Sequence, residues 1–201
     1  MAERLNVSRT PVREAFLRLQ AEGLVISLQQ RTTMVSRINM ERVKQECFIR
    51  EGLEHAVVRP FVAHCEPEDL RCLRTLNEMQ RDYYRQEDWI RVLECDQKFH
   101  ETFFDVARQP LGWALINNNN GHYDRARMLA IRAWNISEEI YRDHTEMVDQ
   151  LEQRNIREVQ NLIYQHVYGK GKVNPAFLIM QEYPEYVSEN DADAAPRIGR
   201  L

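Results

Sequence analysis

Between Met40 and about Tyr168 apolar residues return at helical spacing almost without a break, and this limits what the chain can fold into more than any other feature. Val43, Cys47, Val57 and Phe61 share one stripe with Arg50 and Glu54, in the three- and four-residue steps of a single helix face. Pro67 and Glu68 open a second helix carrying Leu70, Leu73, Leu76 and Met79. A third is expected from about Asp88 to Val106, and Pro110 opens a fourth, which Asn117–Asn120 should kink or interrupt because Asn is a poor helix former. Asn135 to Ser137 cap a fifth that ends near Arg154. The last runs from Arg157 to about Tyr168, with Gly169 and Gly171 as stop signals. Seven Gly and seven Pro in 201 residues are too few for a many-turned β fold. The expected architecture over 40–186 is an antiparallel α-helical bundle. Beyond Tyr186 the segment SENDADAAPRIGRL is polar, and 187–201 is expected to be a disordered tail.

The first forty residues have a different texture. Residues 1–5 read as the tail of a helix ended by Asn6. Ser8 is an N-cap type, Pro11 is tolerated in a first turn, and Val12, Ala15, Phe16 and Leu19 follow helical spacing up to Gly23. The next stretch, LVISLQQRTTMVSRI, has apolar ends around a polar middle and reads as a β-hairpin. Helix, turn, helix and hairpin together make a winged helix-turn-helix over 1–39, with Val7, Val12, Ala15, Leu19 and Leu24 facing a small core. This segment carries a charge of +3 and the remainder -7, which suggests nucleic-acid contact at one end only.

The bundle carries a second pattern. Asp96 and His100 are four residues apart and share a helix face with Trp89, Val92, Leu93, Phe99 and Phe103. His144 lies on the stripe of Ile140, Met147, Val148 and Leu151, and His166 on that of Val159, Leu162 and Ile163. Three helices thus place metal-capable groups where apolar residues are expected. Burying them unpaired costs roughly 1–3 kcal/mol for each neutral group and more for the charge. A shared divalent cation removes that cost, and three His with one Asp suit Zn²⁺, Ni²⁺, Mn²⁺ or Fe²⁺ alike. Arg50 faces inward one turn before Glu54; it can pair with Glu54, anchor an anionic ligand, or do both. Arg127 is a second candidate for the anion. His55, His64 and His122 fit no such pattern and read as surface or boundary residues. Cys47, Cys65, Cys72 and Cys95 form no CxxC pair and read as thiols of a cytoplasmic protein. There is no secretory h-region at the N-terminus, and no window approaches eighteen consecutive apolar residues, so a membrane-spanning helix is excluded.

The stretch AERLNVSRTPVREAFLRLQAEGLV closely resembles the winged helix-turn-helix of the GntR family of bacterial transcription regulators. The resemblance implies DNA contact by Ser8, Arg9, Thr10 and Arg13 on the exposed first turns of a recognition helix, and by Arg31 at the wing tip. Arg suits bidentate pairing with guanine in the major groove. It also implies a complete helix upstream of the one the chain opens in, so the module is expected to lack its first helix. Residues 41–186 resemble the FCD effector domain of the FadR subgroup through LEHAV after Arg50, DQKFHETFF at 96–104, DHTEM, YQHV and EYPEYV. Matching residue by residue implies a divalent metal on Asp96, His100, His144 and His166. The expected function is a homodimeric regulator on double-stranded operator DNA that senses a small carboxylate metabolite through this metal. Two alternatives stay open: a ligand-binding relative that does not bind DNA, and a helical-bundle enzyme in which the metal activates water.

Overall fold

The computed structural model describes residues 1–28, 32–134, 136–169 and 175–189. The first unit is small. Helix α1 (Ala2–Leu5) ends where Asn6 turns left-handed at φ 52°, a conformation Asn tolerates better than most residues. Helix α2 (Arg9–Ala21) has Ser8 at its N-cap, although the serine side chain makes no capping hydrogen bond, and Gly23 (φ 74°) follows its end. Strands β1 (Val25–Leu28) and β2 (Thr32–Val35) pair antiparallel, with Val25 opposite Val35 and Leu28 opposite Thr32. The expected hairpin is therefore present. Its tip, including Arg31, lies outside the described residues.

The expected small core is only partly there. Val25 is buried and Val12, Phe16, Leu19 and Leu24 are half-buried, but Val7 and Ala15 are exposed. The four-residue α1, α2 and the hairpin supply too little surface to cover them.

The bundle begins with β3 (Ile38–Asn39) and α3 (Met40–His64), which Asn39 caps by accepting from Arg42 N at 3.0 Å. Helix α4 (Pro67–Arg85) starts in a reciprocal capping box between Glu66 and Asp69. Asp88 caps α5 (Trp89–Val106). Asn117–Asn120 interrupts the next helix as expected, giving α6 (Pro110–Asn117) and α7 (Gly121–Trp134). Then come α8 (Ser137–Glu152) and α9 (Ile156–Tyr168), the latter followed by Gly169 at φ 85°. Asn135 and Gly171 lie outside the described residues. Helix α3 lies against α5, α7 and α9; α4 against α5 and α8; and α8 against α9. Phe61, Phe99, Phe103, Leu73, Met147, Val148 and Ile163 fill the space between them.

Two elements were not foreseen. Helix α10 (Pro175–Glu182) packs on α7, and β4 (Val187–Ser188) pairs parallel with β3, Ile38 opposite Val187. The tail expected from 187 is thus ordered at its start, because Val187 and Ser188 are buried in that pairing; residues from 190 lie outside the described residues.

The two units meet on the first turns of α7. Arg125 donates to the Ser36 carbonyl at 2.6 Å and to Ser36 Oγ at 3.3 Å, and Asn39 N donates to His122 Nδ1 at 3.1 Å. Gly121 sits under Leu24: a Cβ there would stand 2.8 Å from Leu24 Cδ2. His122 is therefore buried, not a boundary residue, and its burial comes from the docked first unit. Replacing Arg125 with Ala removes two hydrogen bonds from a charged donor, roughly 1.5–3 kcal/mol each. Amide exchange should then quicken in β1 and β2 and stay unchanged in α8 and α9. Equal protection of β1 and β2 in variant and parent would show that this contact does not hold the joint.

Candidate metal centre

Asp96 and His100 come from α5, His144 from α8 and His166 from α9, and one ligand atom from each lies within 4.8 Å of the others. Asp96 and His144 are fully buried and His100 nearly so. The periodicity that packs α5, α8 and α9 also aims these four side chains at one point. His144 Nε2 stands 3.7 Å from Asp96 Oδ1, and His100 Nε2 stands 3.8 Å from Asp96 Oδ2. The imidazoles of His100, His144 and His166 lie 4.8–5.3 Å apart, centroid to centroid. His144 is held flat against Phe99, with ring centroids 4.0 Å apart and planes 8° from parallel.

Each ring is backed from outside. Glu54 Oε2 lies 3.0 Å from His100 Nδ1, which turns Nε2 toward the cluster; Asp143 Oδ2 lies 3.6 Å from His166 Nδ1. Carboxylates behind ligating imidazoles fix ring orientation and raise basicity. Arg50 Nε donates to Glu54 Oε1 at 2.7 Å, so its structural role is established. Its Nη2 reaches to 3.7 Å from Asp96 Oδ2, and neither Nη has a hydrogen-bond partner among the described residues. Arg127 Nη2 lies 2.6 Å from Asp96 Oδ1 as an ion pair without hydrogen-bond alignment. Gln80 donates to Asp96 Oδ1 at 3.2 Å.

Charge decides the protonation states. Burial alone would raise the Asp96 carboxyl, but Arg127, His100, His144 and Arg50 outweigh it and hold it well below the usual carboxylate range. Burial likewise opposes ionisation of Glu54, and Arg50 with His100 brings it to about 2. Burial lowers His100 despite Glu54, and burial followed by His166 lowers His144 well below the ordinary imidazole value. Both rings are therefore neutral at pH 7, the form that ligates metal. Asp96 and Glu54 are offset by Arg50 and Arg127, with Asp143 a third carboxylate behind His166.

Several polar atoms at the centre have no hydrogen-bond partner among the described residues: Asp96 Oδ2, His100 Nε2 and both ring nitrogens of His144. Native interiors rarely leave so many donors and acceptors unpaired in one place. A nitrogen and oxygen donor set of this kind fits a divalent cation.

Sequence reasoning missed Asp143, Gln80 and the positioning part of Glu54. Gln80 follows Leu73 at helical spacing on the buried side of α4, a readable signal. Asp143 adjoins His144 on a different face and gave none. Ser8, Arg9, Thr10 and Arg13 are exposed on the first turn and a half of α2, remote in role from this cluster. His55 and His64 are exposed, as expected.

A reading helix with a two-stranded wing, carried on an all-helical domain, defines a winged helix-turn-helix DNA-binding regulator. Residues 1–35 match the bacterial regulatory proteins of the gntR family, and residues 47–169 match the FCD domain. The chain belongs to this family: it is a GntR-type transcription regulator with an FCD domain. It is 30% identical over 164 residues to the HTH-type transcriptional repressor RspR of Escherichia coli (strain K12), covering 82% of this chain and 72% of that one. It is 23% identical over 167 residues to the HTH-type transcriptional regulator YdhC of Bacillus subtilis (strain 168), covering 83% and 75%. The solved structure of E. coli McbR/YncC has the same fold, with TM-score 0.74 and 19% identity over 90% of this chain and 84% of that one. A GntR regulator from Rhodococcus sp. RHA1 superposes with TM-score 0.72 at 21% identity over the same shares. The family is one of regulators rather than enzymes, which sets the catalytic reading aside. No described helix is long and apolar enough to cross a membrane.

Proposed function

We propose that this regulator senses a small carboxylate through a divalent cation held by Asp96, His100, His144 and His166, with Arg50 and Arg127 beside it. The observation that supports the reading is the set of buried atoms of Asp96, His100 and His144 without a hydrogen-bond partner among the described residues, gathered with His166 around one point. A bound cation would supply Lewis acidity and two positive charges to this buried cluster, and so favour an anion there. The donor set accommodates Zn²⁺, Ni²⁺, Mn²⁺ or Fe²⁺. Ser8, Arg9, Thr10 and Arg13 read the operator, with Arg31 on the wing. Two such modules on a two-fold operator require a homodimer, and the DNA target places the protein in the cytoplasm. Residues 1–39 serve as the reading domain and 40–186 as the sensing domain.

The route between the sites is short. Helix α7 carries Arg127 on the cluster and, one half-turn earlier, Arg125 on Ser36 of the first unit. A ligand that draws Arg127 away from Asp96 acts on the helix to which the reading unit is docked. Gel-shift with promoter DNA, titrating metal and then carboxylates, tests this. Affinity that changes with neither would leave a DNA-binding protein without the sensing role; metal binding without DNA binding would favour the ligand-only relative.

Glu54 gives a narrower test. Glu54→Gln keeps the shape but weakens the acceptor for His100 Nδ1, and such changes lower metal affinity about 10–100-fold. Metal affinity by competition with a coloured chelator should fall by that factor. An unchanged affinity would remove Glu54 from the site.

A further inference from the structure

Beside the cluster lies a cavity of about 90 Å³ bounded by α3, α7, α8, α9 and α10. Its walls divide sharply. Arg127 and His166 belong to the cluster and Tyr123 lies against Arg50 and Arg127, whereas Ala130, Ile131, Ile136, Ile140 and Ile179 are among the aliphatic side chains that line it. Cys47 also lines it; burial pushes its thiol up to about 12, so it stays uncharged and behaves as a small apolar group. Arg127 Nη2 faces Asp96 Oδ1 at 2.6 Å as an ion pair, yet neither Nη makes an aligned hydrogen bond among the described residues, so both keep donor capacity for a second carboxylate.

We infer that the effector is a short aliphatic monocarboxylate, its carboxylate at Arg127 and its hydrocarbon body in this cavity. This rests on the reading of the cluster as the effector site and narrows the ligand class. An apolar cavity of about 150 Å³ takes one benzene, so 90 Å³ takes about four carbons. A second carboxylate or a row of hydroxyls on the body would be buried against isoleucine and alanine, with no polar lining side chain among the described residues beyond Arg127, His166, Tyr123 and Cys47. The cavity therefore selects by what its walls lack: dicarboxylates, tricarboxylates and sugar acids are rejected, and branched bodies of three to five carbons fit. Each CH₂ group buried should tighten binding about fourfold.

The test is isothermal titration of the intact chain with isovalerate, acetate, succinate and gluconate, in metal-loaded and metal-stripped forms side by side. Isovalerate should bind about 50-fold more tightly than acetate and outrank succinate and gluconate. Ala130→Leu, which fills the cavity, should abolish the advantage of isovalerate over acetate. Ile140→Thr, a milder change to a half-buried wall, should reduce that advantage several-fold. The same ranking in stripped protein would sustain this assignment while overturning the need for the cation. Succinate or gluconate binding as tightly as isovalerate would overturn the assignment, as would an unaltered isovalerate advantage in both variants or no binding of any of the four acids.

Discussion

The protein loaded with Zn²⁺, Ni²⁺ or Mn²⁺ should melt about 10 °C above the same protein stripped by a chelator. At a free metal concentration a thousandfold above its dissociation constant, binding adds about 4 kcal/mol to stability. For a chain of this size each 1 kcal/mol moves the midpoint by about 2–4 °C. The candidate donors come from α5, α8 and α9, so a bound ion would tie these three helices together. His144→Ala should lose nearly all of that increment. It also removes the ring stacked on Phe99 and leaves a cavity, so the stripped variant should itself melt lower than the stripped parent. The decisive quantity is the difference between loaded and stripped forms within each protein. An increment of the same size in His144→Ala would take His144 out of the ligand set. No increment in the parent, with no metal found by elemental analysis, would leave the four residues as a polar pocket.

The Arg9→Ala, Arg13→Ala double variant should bind operator DNA a hundredfold or more less tightly. Arg9 opens α2 and Arg13 stands one turn later, both exposed on the end of the helix that enters a major groove in this kind of module. A bidentate arginine–guanine pair is worth about 1–3 kcal/mol, and each 1.4 kcal/mol is tenfold. The single variants discriminate roles. If Arg9 reads a base, Arg9→Ala should relax preference at one operator position. If it holds phosphate instead, affinity should fall alike on all sequences and the salt dependence should weaken by about one counterion. Fluorescence anisotropy at two salt concentrations on operator and scrambled DNA reads both. Full affinity in the double variant would move recognition away from α2. Both residues are exposed, so the thermal midpoint should stay within a degree or so of the parent.

Most of the bundle was legible because helix periodicity is local: Val43, Cys47, Arg50, Glu54, Val57 and Phe61 announce α3 with no knowledge of its neighbours. The buried Asp/His cluster was legible for a related reason. Asp96, His100, His144 and His166 each occupy a stripe position at which an apolar residue is the ordinary choice, so the burial of each follows from its own helix. What stayed hidden depends on contacts between distant segments. Asp143 lies off the apolar stripe of α8 and acquires meaning only when α9 brings His166 to 3.6 Å. His122 is buried by a glycine turn and a strand end far earlier in the chain. Val7 and Ala15 fail in the other direction. Their spacing asks for a core, but spacing says nothing of whether enough partner surface arrives to make one.

The parallel pairing of Ile38 with Val187 has a consequence for synthesis. The reading unit leaves the ribosome first, yet the strand beneath its junction with the bundle is completed only when Val187 emerges. At about 5–20 residues per second the interval between those two residues is on the order of ten seconds. During that interval the nascent chain carries a DNA-reading helix whose seat is unfinished. The orientation of the first unit on the bundle is thus fixed only after nearly all of the helical domain exists. A message cut short within α9 or α10 would yield a reading unit without its fixed mount.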